Sequence, residues 1–302
     1  MTVVFEQVFA LFLFAAAGYT LSRAGIVKKE QAGILSSLLV YVFLPANIFR
    51  TFAANCTVEY LCGNYRTVLA AVGLLIVLAA LMEFVSRLFS REDYERKIYR
   101  YSLIIANYGY MGYALAESLL GSAGLMNVMM FAMPLSMYTY TVGFCSLTKR
   151  GLSLKKLLNP VILAMALGIA AGLKGFPVPS VVGGVLSKAS GCMAPVSMLM
   201  AGIVISEFPL KELLREPRTY ILCALRLLVI PVGFGFLISL LGRREITEAA
   251  VVLLAMPCGL NTIVFPKLMG ENCRIGAGLA FISNIAACAT IPLVFALFGI
   301  GG

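Results

Sequence analysis

The sequence predicts an all-α membrane protein. Ten transmembrane helices are expected, in two inverted five-helix repeats whose fourth and ninth helices are broken and cross. Three observations carry this. Of 302 residues, 61% are apolar, and only 24 Lys and Arg and 14 Asp and Glu carry charge, about half the charge of a soluble chain of this length. With a mean hydropathy of +0.95, that composition excludes a soluble enzyme, a disordered regulator and a secreted disulfide scaffold. The other two observations are the sidedness of the basic residues and an internal duplication.

Each crossing of the hydrocarbon core takes roughly 20 apolar residues. Ten stretches meet that need, near 3–22, 32–53, 67–89, 98–119, 122–147, 159–175, 181–206, 219–241, 247–269 and 275–299. In the first, Glu6 interrupts the start and no small-residue cleavage site follows a short apolar core, so it reads as a retained helix rather than a signal peptide.

Cytoplasmic loops hold an excess of Lys and Arg. One set of alternate loops holds seventeen cations, from Arg23, Lys28 and Lys29 through Lys149 and Arg150 to Lys267 and Arg274. The other holds six, Arg50, Arg66, Lys174, Lys188, Arg243 and Arg244, with Arg226 left inside a span. Both termini are therefore expected outside, on a multi-pass protein of the cell membrane, most simply a bacterial inner membrane. The balance of +10 is spread over short loops rather than along one face, so the bilayer and not nucleic acid is the expected partner. The absence of histidine removes His-ligated metals and His-based acid/base chemistry. Of eight cysteines only Cys56 and Cys62 share a loop, where they bridge if it faces an oxidising compartment.

Three pairs of segments match between the halves. Tyr108-Gly109-Tyr110-Met111-Gly112 through Gly121 answers Pro257-Cys258-Gly259-Leu260-Asn261 through Gly270 at an offset of 149. Leu44-Pro45-Ala46 answers Ala194-Pro195-Val196 at 150, and Met133-Pro134-Leu135 answers Ile291-Pro292-Leu293 at 158. Five spans per repeat is an odd number, so the second repeat enters the membrane from the opposite side. The domains follow: 1–147 and 159–302 as repeats, joined by a cytoplasmic linker at 148–158.

At 1.5 Å per residue, Ile98 to Asn107 covers about 15 Å, half of a 30 Å core. Asn107-Tyr-Gly-Tyr-Met-Gly112 then lies near the midplane, as does Pro257-Cys-Gly-Leu-Asn261 from the other face. Glycine weakens a helix there and proline removes a donor. Backbone groups freed in hydrocarbon must line a cavity or meet polar side chains, and Asn107 and Asn261 offer amides. Two half-helix N-termini converging at the midplane favour a small anion such as a carboxylate, while the first halves' free carbonyls suit a cation. The competing reading is that Gly109 and Gly112 serve close helix packing and that Pro257 is an ordinary kink. Pro45, Pro134, Pro195 and Pro292 read as kinks rather than ligands.

Intramembrane ionisable residues are functional candidates. Glu83 stands four residues before Arg87, a pairing distance on one helix face, which favours a structural salt bridge over proton coupling. Arg226 either attracts an anionic substrate or reaches headgroups. Asn127, Ser283 and Asn284 are weaker pocket candidates, better suited to interhelical hydrogen bonds.

The Asn-x-Gly-x-x-Gly break at Asn107, the Met256-Pro257-x-Gly-x-Asn261 break and Leu44-Pro-Ala-Asn47 resemble the auxin efflux carrier family, in its short bacterial type. That family includes plant PIN carriers and bacterial transporters of dicarboxylates such as malonate, and the likeness covers essentially the whole chain. It implies a scaffold of spans one, two, six and seven, through which a homodimer forms. It also implies a transport domain of spans three to five and eight to ten that moves like an elevator. The substrate would sit at the crossed breaks, on Asn107, Tyr108, Gly109, Gly112, Tyr113, Pro257, Gly259, Asn261 and Thr262, with Asn47 nearby. The sequence departs from the family in lacking a proline in the fourth-span break, which puts auxin itself in question.

The expected function is secondary transport of a small organic anion, with no cofactor beyond a coupling ion, Na+ or H+. A ligand-gated channel or a sensor without transport is the alternative. An enzyme is not expected, since the one aspartate, Asp93, lies in a loop and no acids pair at one depth. No Gly-x-x-x-x-Gly-Lys-Ser/Thr loop supports ATP-driven pumping.

Overall fold

The computed structural model describes residues 2–148 and 160–300. Apart from Thr148, the expected linker lies outside the described residues. Among these the chain is helical throughout, with no strand beyond one isolated bridge.

Six helices are long and apolar enough to cross a bilayer. Five are numbered here by their ranges: α2 (Lys29–Asn55), α3 (Val58–Phe89), α7 (Ser180–Ile205), α8 (Pro217–Ser239) and α11 (Arg274–Leu297). The sixth, Ala123–Leu147, lies mostly within α5 (Tyr113–Tyr138) and runs on through a π turn at Thr139–Gly143. α1 (Thr2–Arg23) and α6 (Pro160–Lys174) complete the long apolar pieces. The fourth and ninth expected spans fall short of the length needed because each is cut in two. α4 (Asp93–Ile104) precedes the first break, whereas α9 (Arg244–Leu254) and α10 (Asn261–Leu268) flank the second. Gly121, at φ 68° and ψ −171°, turns the chain between the fourth and fifth expected spans, a conformation that only glycine adopts without strain.

Prolines shape rather than end these helices. Pro45 follows a π turn at Leu39–Phe43, and Pro231 follows one at Leu225–Val229. The wider turn relieves the clash of the proline ring with the preceding carbonyls. Thr57 starts α3 by accepting the Tyr60 N–H at 3.1 Å, an N-cap of the usual kind.

Backbone contact at glycine joins α1 to α7 and α2 to α6. A Cβ on Gly18 would stand 2.1 Å from the Leu199 carbonyl oxygen, and one on Gly202 would stand 1.9 Å from that of Ala15. Gly168 and Gly172 meet the Phe49 and Phe52 carbonyls in the same way, at 2.9 and 2.6 Å. Without a hydrophobic drive between helices in lipid, such close approach supplies the packing attraction. Side chains tie α2 to α7: Arg50 donates to Ser187 at 2.9 Å and Ser190 donates to Asn47 Oδ1 at 2.6 Å.

α10 lies against α2 and α7 near the loops rich in cations. Ser36 Oγ donates to the Val264 carbonyl at 2.6 Å, fully buried. Lys267 pairs with Glu207 at 2.5 Å, both largely shielded. Cys56 and Cys62 are separate thiols, Cys56 buried and Cys62 exposed.

Candidate functional site

α4 ends at Ile104, and Ile105 is extended at φ −105° and ψ 117°. Helix resumes only at the π turn Tyr108–Gly112. Across from it, the chain between α9 and α10 is open from Ala255 to Leu260. The two gaps pair with one another. Ala106 and Cys258 form an antiparallel bridge, in which Asn107 N–H donates to the Pro257 carbonyl at 2.8 Å and Gly259 N–H to the Ile105 carbonyl at 3.3 Å. The freed backbone groups thus satisfy each other in part, a pairing the sequence did not suggest, while polar side chains and a cavity take others as expected. Pro257 fits because only its carbonyl is used. Gly259 suits the close approach, since a Cβ there would stand 3.2 Å from the Ile105 oxygen.

Side chains complete the capping. Ser283 Oγ on α11 accepts the Cys258 N–H at 3.1 Å, and Thr262 Oγ1 donates to the Gly259 carbonyl at 3.0 Å. Arg226 Nη1 on α8 donates to the Leu103 carbonyl at 3.1 Å, one of the last four in α4 that no helical partner can reach. This corrects one expectation for Arg226: it is fully buried and reaches no headgroup.

Two cavities meet at the crossing. The smaller is lined by Asn107, Tyr108, Gly109, Tyr140, Gly259 and Asn261 among others. The larger runs along α2 from Asn47 through Thr51 to Asn55, with Tyr108, Gly109, Tyr113, Met133, Ser136 and Tyr140 opposite, and each leaves about 20 Å³ for a water-sized molecule. They share Tyr108, Gly109 and Tyr140. Tyr108 Oη shares a hydrogen bond with Ser136 Oγ at 3.0 Å, and its ring lies 5.9 Å from that of Tyr113. Asn261 Nδ2 donates to Tyr101 Oη at 2.9 Å. Asn107 is different: its side chain is buried and neither amide atom has a hydrogen-bond partner. Among the described residues neither cavity is lined by Lys, Arg, Asp or Glu. Their walls set hydroxyls and amides among apolar side chains, Leu44, Met193 and Leu260 in the smaller and Ile48, Phe52 and Met129 in the larger.

Of the other expected site residues, Gly112 packs against Met256, whose Cγ would stand 3.1 Å from an added Cβ. Gly112 thus serves close packing, while Gly109 has open space beside it. Pro257 and Thr262 act on backbone. Asn47 lines the larger cavity with its oxygen already taken by Ser190.

The remaining candidates lie outside both cavities. Asn127 accepts from Tyr60 Oη at 2.9 Å, joining α3 to α5, and Asn284 donates within its own helix to the Ala280 carbonyl at 2.7 Å. Ser283 and Arg226 stand behind the crossing as caps. Glu83 pairs with Arg87 at 3.0 Å and also with Arg100 on α4.

Sequence reasoning missed Thr51 and Asn55, although both follow Asn47 at helical four-residue steps. It also missed Ser136, Tyr140 and Tyr101, for which no local pattern gave a signal.

Known proteins resemble this chain along nearly its whole length. The family model described as "Membrane transport protein" matches residues 3–156 and 147–295, two stretches that meet at the expected linker. A protein of Rhizobium meliloti (strain 1021) named "Putative malonate transporter" is 25% identical over 290 residues, covering 91% of this chain and 89% of the relative. An "Uncharacterized transporter" of Methanothermobacter thermautotrophicus is 22% identical over 299 residues, covering 95% and 96%. One from Methanocaldococcus jannaschii is 23% identical over 303 residues, again covering 95% and 96%. This chain belongs to the membrane transport protein family, the auxin efflux carrier type that its broken-helix motifs resemble, and is a multi-pass membrane protein of a transporter rather than an enzyme family.

Proposed function

We propose that this protein is a secondary transporter of a small organic anion, a carboxylate of auxin-like or dicarboxylate type, bound where the two broken helices cross. The observation that carries this reading is Asn107: an amide buried with no partner, beside an uncharged cavity in which Asn261 and two tyrosines are set among apolar side chains such as Leu44, Met193 and Leu260. A buried polar group left unpaired costs about 1–3 kcal/mol, and a ligand that satisfies it recovers that energy. The relative named for malonate supports an organic acid.

In the same reading the fold is ten spans in two inverted repeats, with both termini outside. α1, α2, α6 and α7 form a scaffold and the remaining helices a transport domain that slides past it as an elevator. The glycine-mediated pairing of α1 with α7 and α2 with α6 supports that grouping. The larger cavity runs toward Asn55 and Cys56, at the end of α2 away from the cation-rich loops. The contacts Ser36–Val264 and Lys267–Glu207 close the other end. That asymmetry corresponds to an outward-open state. Two copies associate through the scaffold.

Transport into sealed vesicles of purified protein tests the reading. Saturable uptake with counterflow of a labelled carboxylate is expected, and Asn261→Ala is expected to abolish it while the protein still inserts and folds. Ohmic, non-saturating current would favour the channel reading, and unchanged uptake by Asn261→Ala would remove that residue from the site.

A further inference from the structure

Arg226 is a full positive charge in the middle of the fold, with no exposed surface. Its one hydrogen bond in the structure, from Nη1 to the Leu103 carbonyl, leaves Nε and Nη2 buried without partners. Among the described residues no carboxylate pairs with it, and the ionisable group within its electrostatic reach is Cys258, on the bridge itself. Capping a carbonyl does not call for a charge. A neutral donor would do that without the desolvation of a guanidinium, which is expensive in a membrane interior. The partial negative charge at the end of α4 offsets only about half a unit, so a net positive potential remains at this point. The π turn Leu225–Val229 that carries Arg226 is itself a local departure from regular helix of the kind found at functional sites.

Only three residues separate Leu103 from Ala106, at most about 11 Å of extended chain. The guanidinium therefore lies within about 14 Å of the bridge between the two breaks, counting its 3.1 Å bond to Leu103. No cation lines the cavities. We propose that Arg226 selects the charge of the substrate: it acts from behind the crossing, through space and without touching the ligand, to favour an anion over a neutral molecule of the same shape. This inference rests on the anion-transport reading. For a ligand at the bridge, about 14 Å away at that limit, an effective dielectric of about 20 makes one unit charge change the affinity for a monoanion roughly ten-fold.

The test compares acids with their uncharged amides, malonate with malonamide and indole-3-acetate with indole-3-acetamide, as competitors and thermal stabilisers of purified wild type, R226K and R226Q. Wild type and R226K are expected to prefer the acid, and R226Q to lose about ten-fold of that preference for the monoanion indole-3-acetate, and more for the dianion malonate, while binding the amide as before. A purely structural role would weaken acid and amide together, and that outcome, or an undiminished preference in R226Q, overturns the proposal. Should R226Q fail to yield monodisperse protein, R226K decides: loss of acid preference at unchanged thermal stability overturns the proposal, and retained preference supports it. If wild type prefers no acid over its amide, the anion-transport reading itself fails, which is a different result from failure of R226Q to change the preference.

Discussion

Replacing Asn107 with leucine is expected to separate stability from transport. Leucine has the same branched outline but is larger, because two methyls replace the amide oxygen and nitrogen, and overpacking a full site costs about 1–3 kcal/mol. Against this stands the removal of two buried amide atoms that have no partner, whose desolvation costs about 1–3 kcal/mol. The two terms offset, so the net change in the ligand-free protein lies within about 2 kcal/mol of zero, which at roughly 2 °C per kcal/mol for a large domain keeps Tm within about 4 °C of the wild-type value. The chain has no tryptophan but several buried free thiols, so a thiol-reactive dye reports unfolding directly. The same variant is expected to lose saturable uptake and to lose the rise in Tm that a bound carboxylate gives wild type. A fall in Tm well beyond that range would show that the amide is engaged in the resting protein, and wild-type uptake would take Asn107 out of the binding site.

Two further substitutions probe the framework. Ser283→Ala removes the acceptor of the buried Cys258 N–H and is expected to destabilise by about 1–3 kcal/mol, with Ser283→Thr close to wild type; equal Tm for all three proteins would show that this bond contributes nothing. Gly202→Val places a branched side chain where even a Cβ would meet the Ala15 oxygen at 1.9 Å. It is expected to separate α1 from α7 and to lower Tm by more than about 4 °C, which a loss of more than about 2 kcal/mol gives; a wild-type melting curve would refute the close packing.

The helical character and the two helix breaks were legible in the sequence because they follow from one-dimensional signals. Apolar stretches, loop charges and the Gly, Pro and Asn punctuation at 107–112 and 257–261 mark where helix must stop, and both stops occur there. What the sequence did not disclose is who meets whom. Nothing local indicates that Ile105 and Ala106 would pair with Cys258 and Gly259, because hydrogen-bond register between distant segments is set by packing. Arg226 shows the same limit. Its position in a span was readable, but reaching Leu103 depends on the inward turn of a π bulge that Pro231 makes favourable. Glu83 was half read: its partner one turn along the helix was visible, and Arg100 on the neighbouring helix was not.

The bridge between Ala106 and Cys258 has a mechanical consequence. Two backbone hydrogen bonds act as a rivet: neither interrupted rod swings, slides or unwinds there without straining its mate. Any cycle that exposes the chamber first to one face and then to the other is easier to shear elsewhere. One seam tied through side chains is where α10 rests on α2 and beside the end of α7, through Ser36 and the Lys267–Glu207 pair.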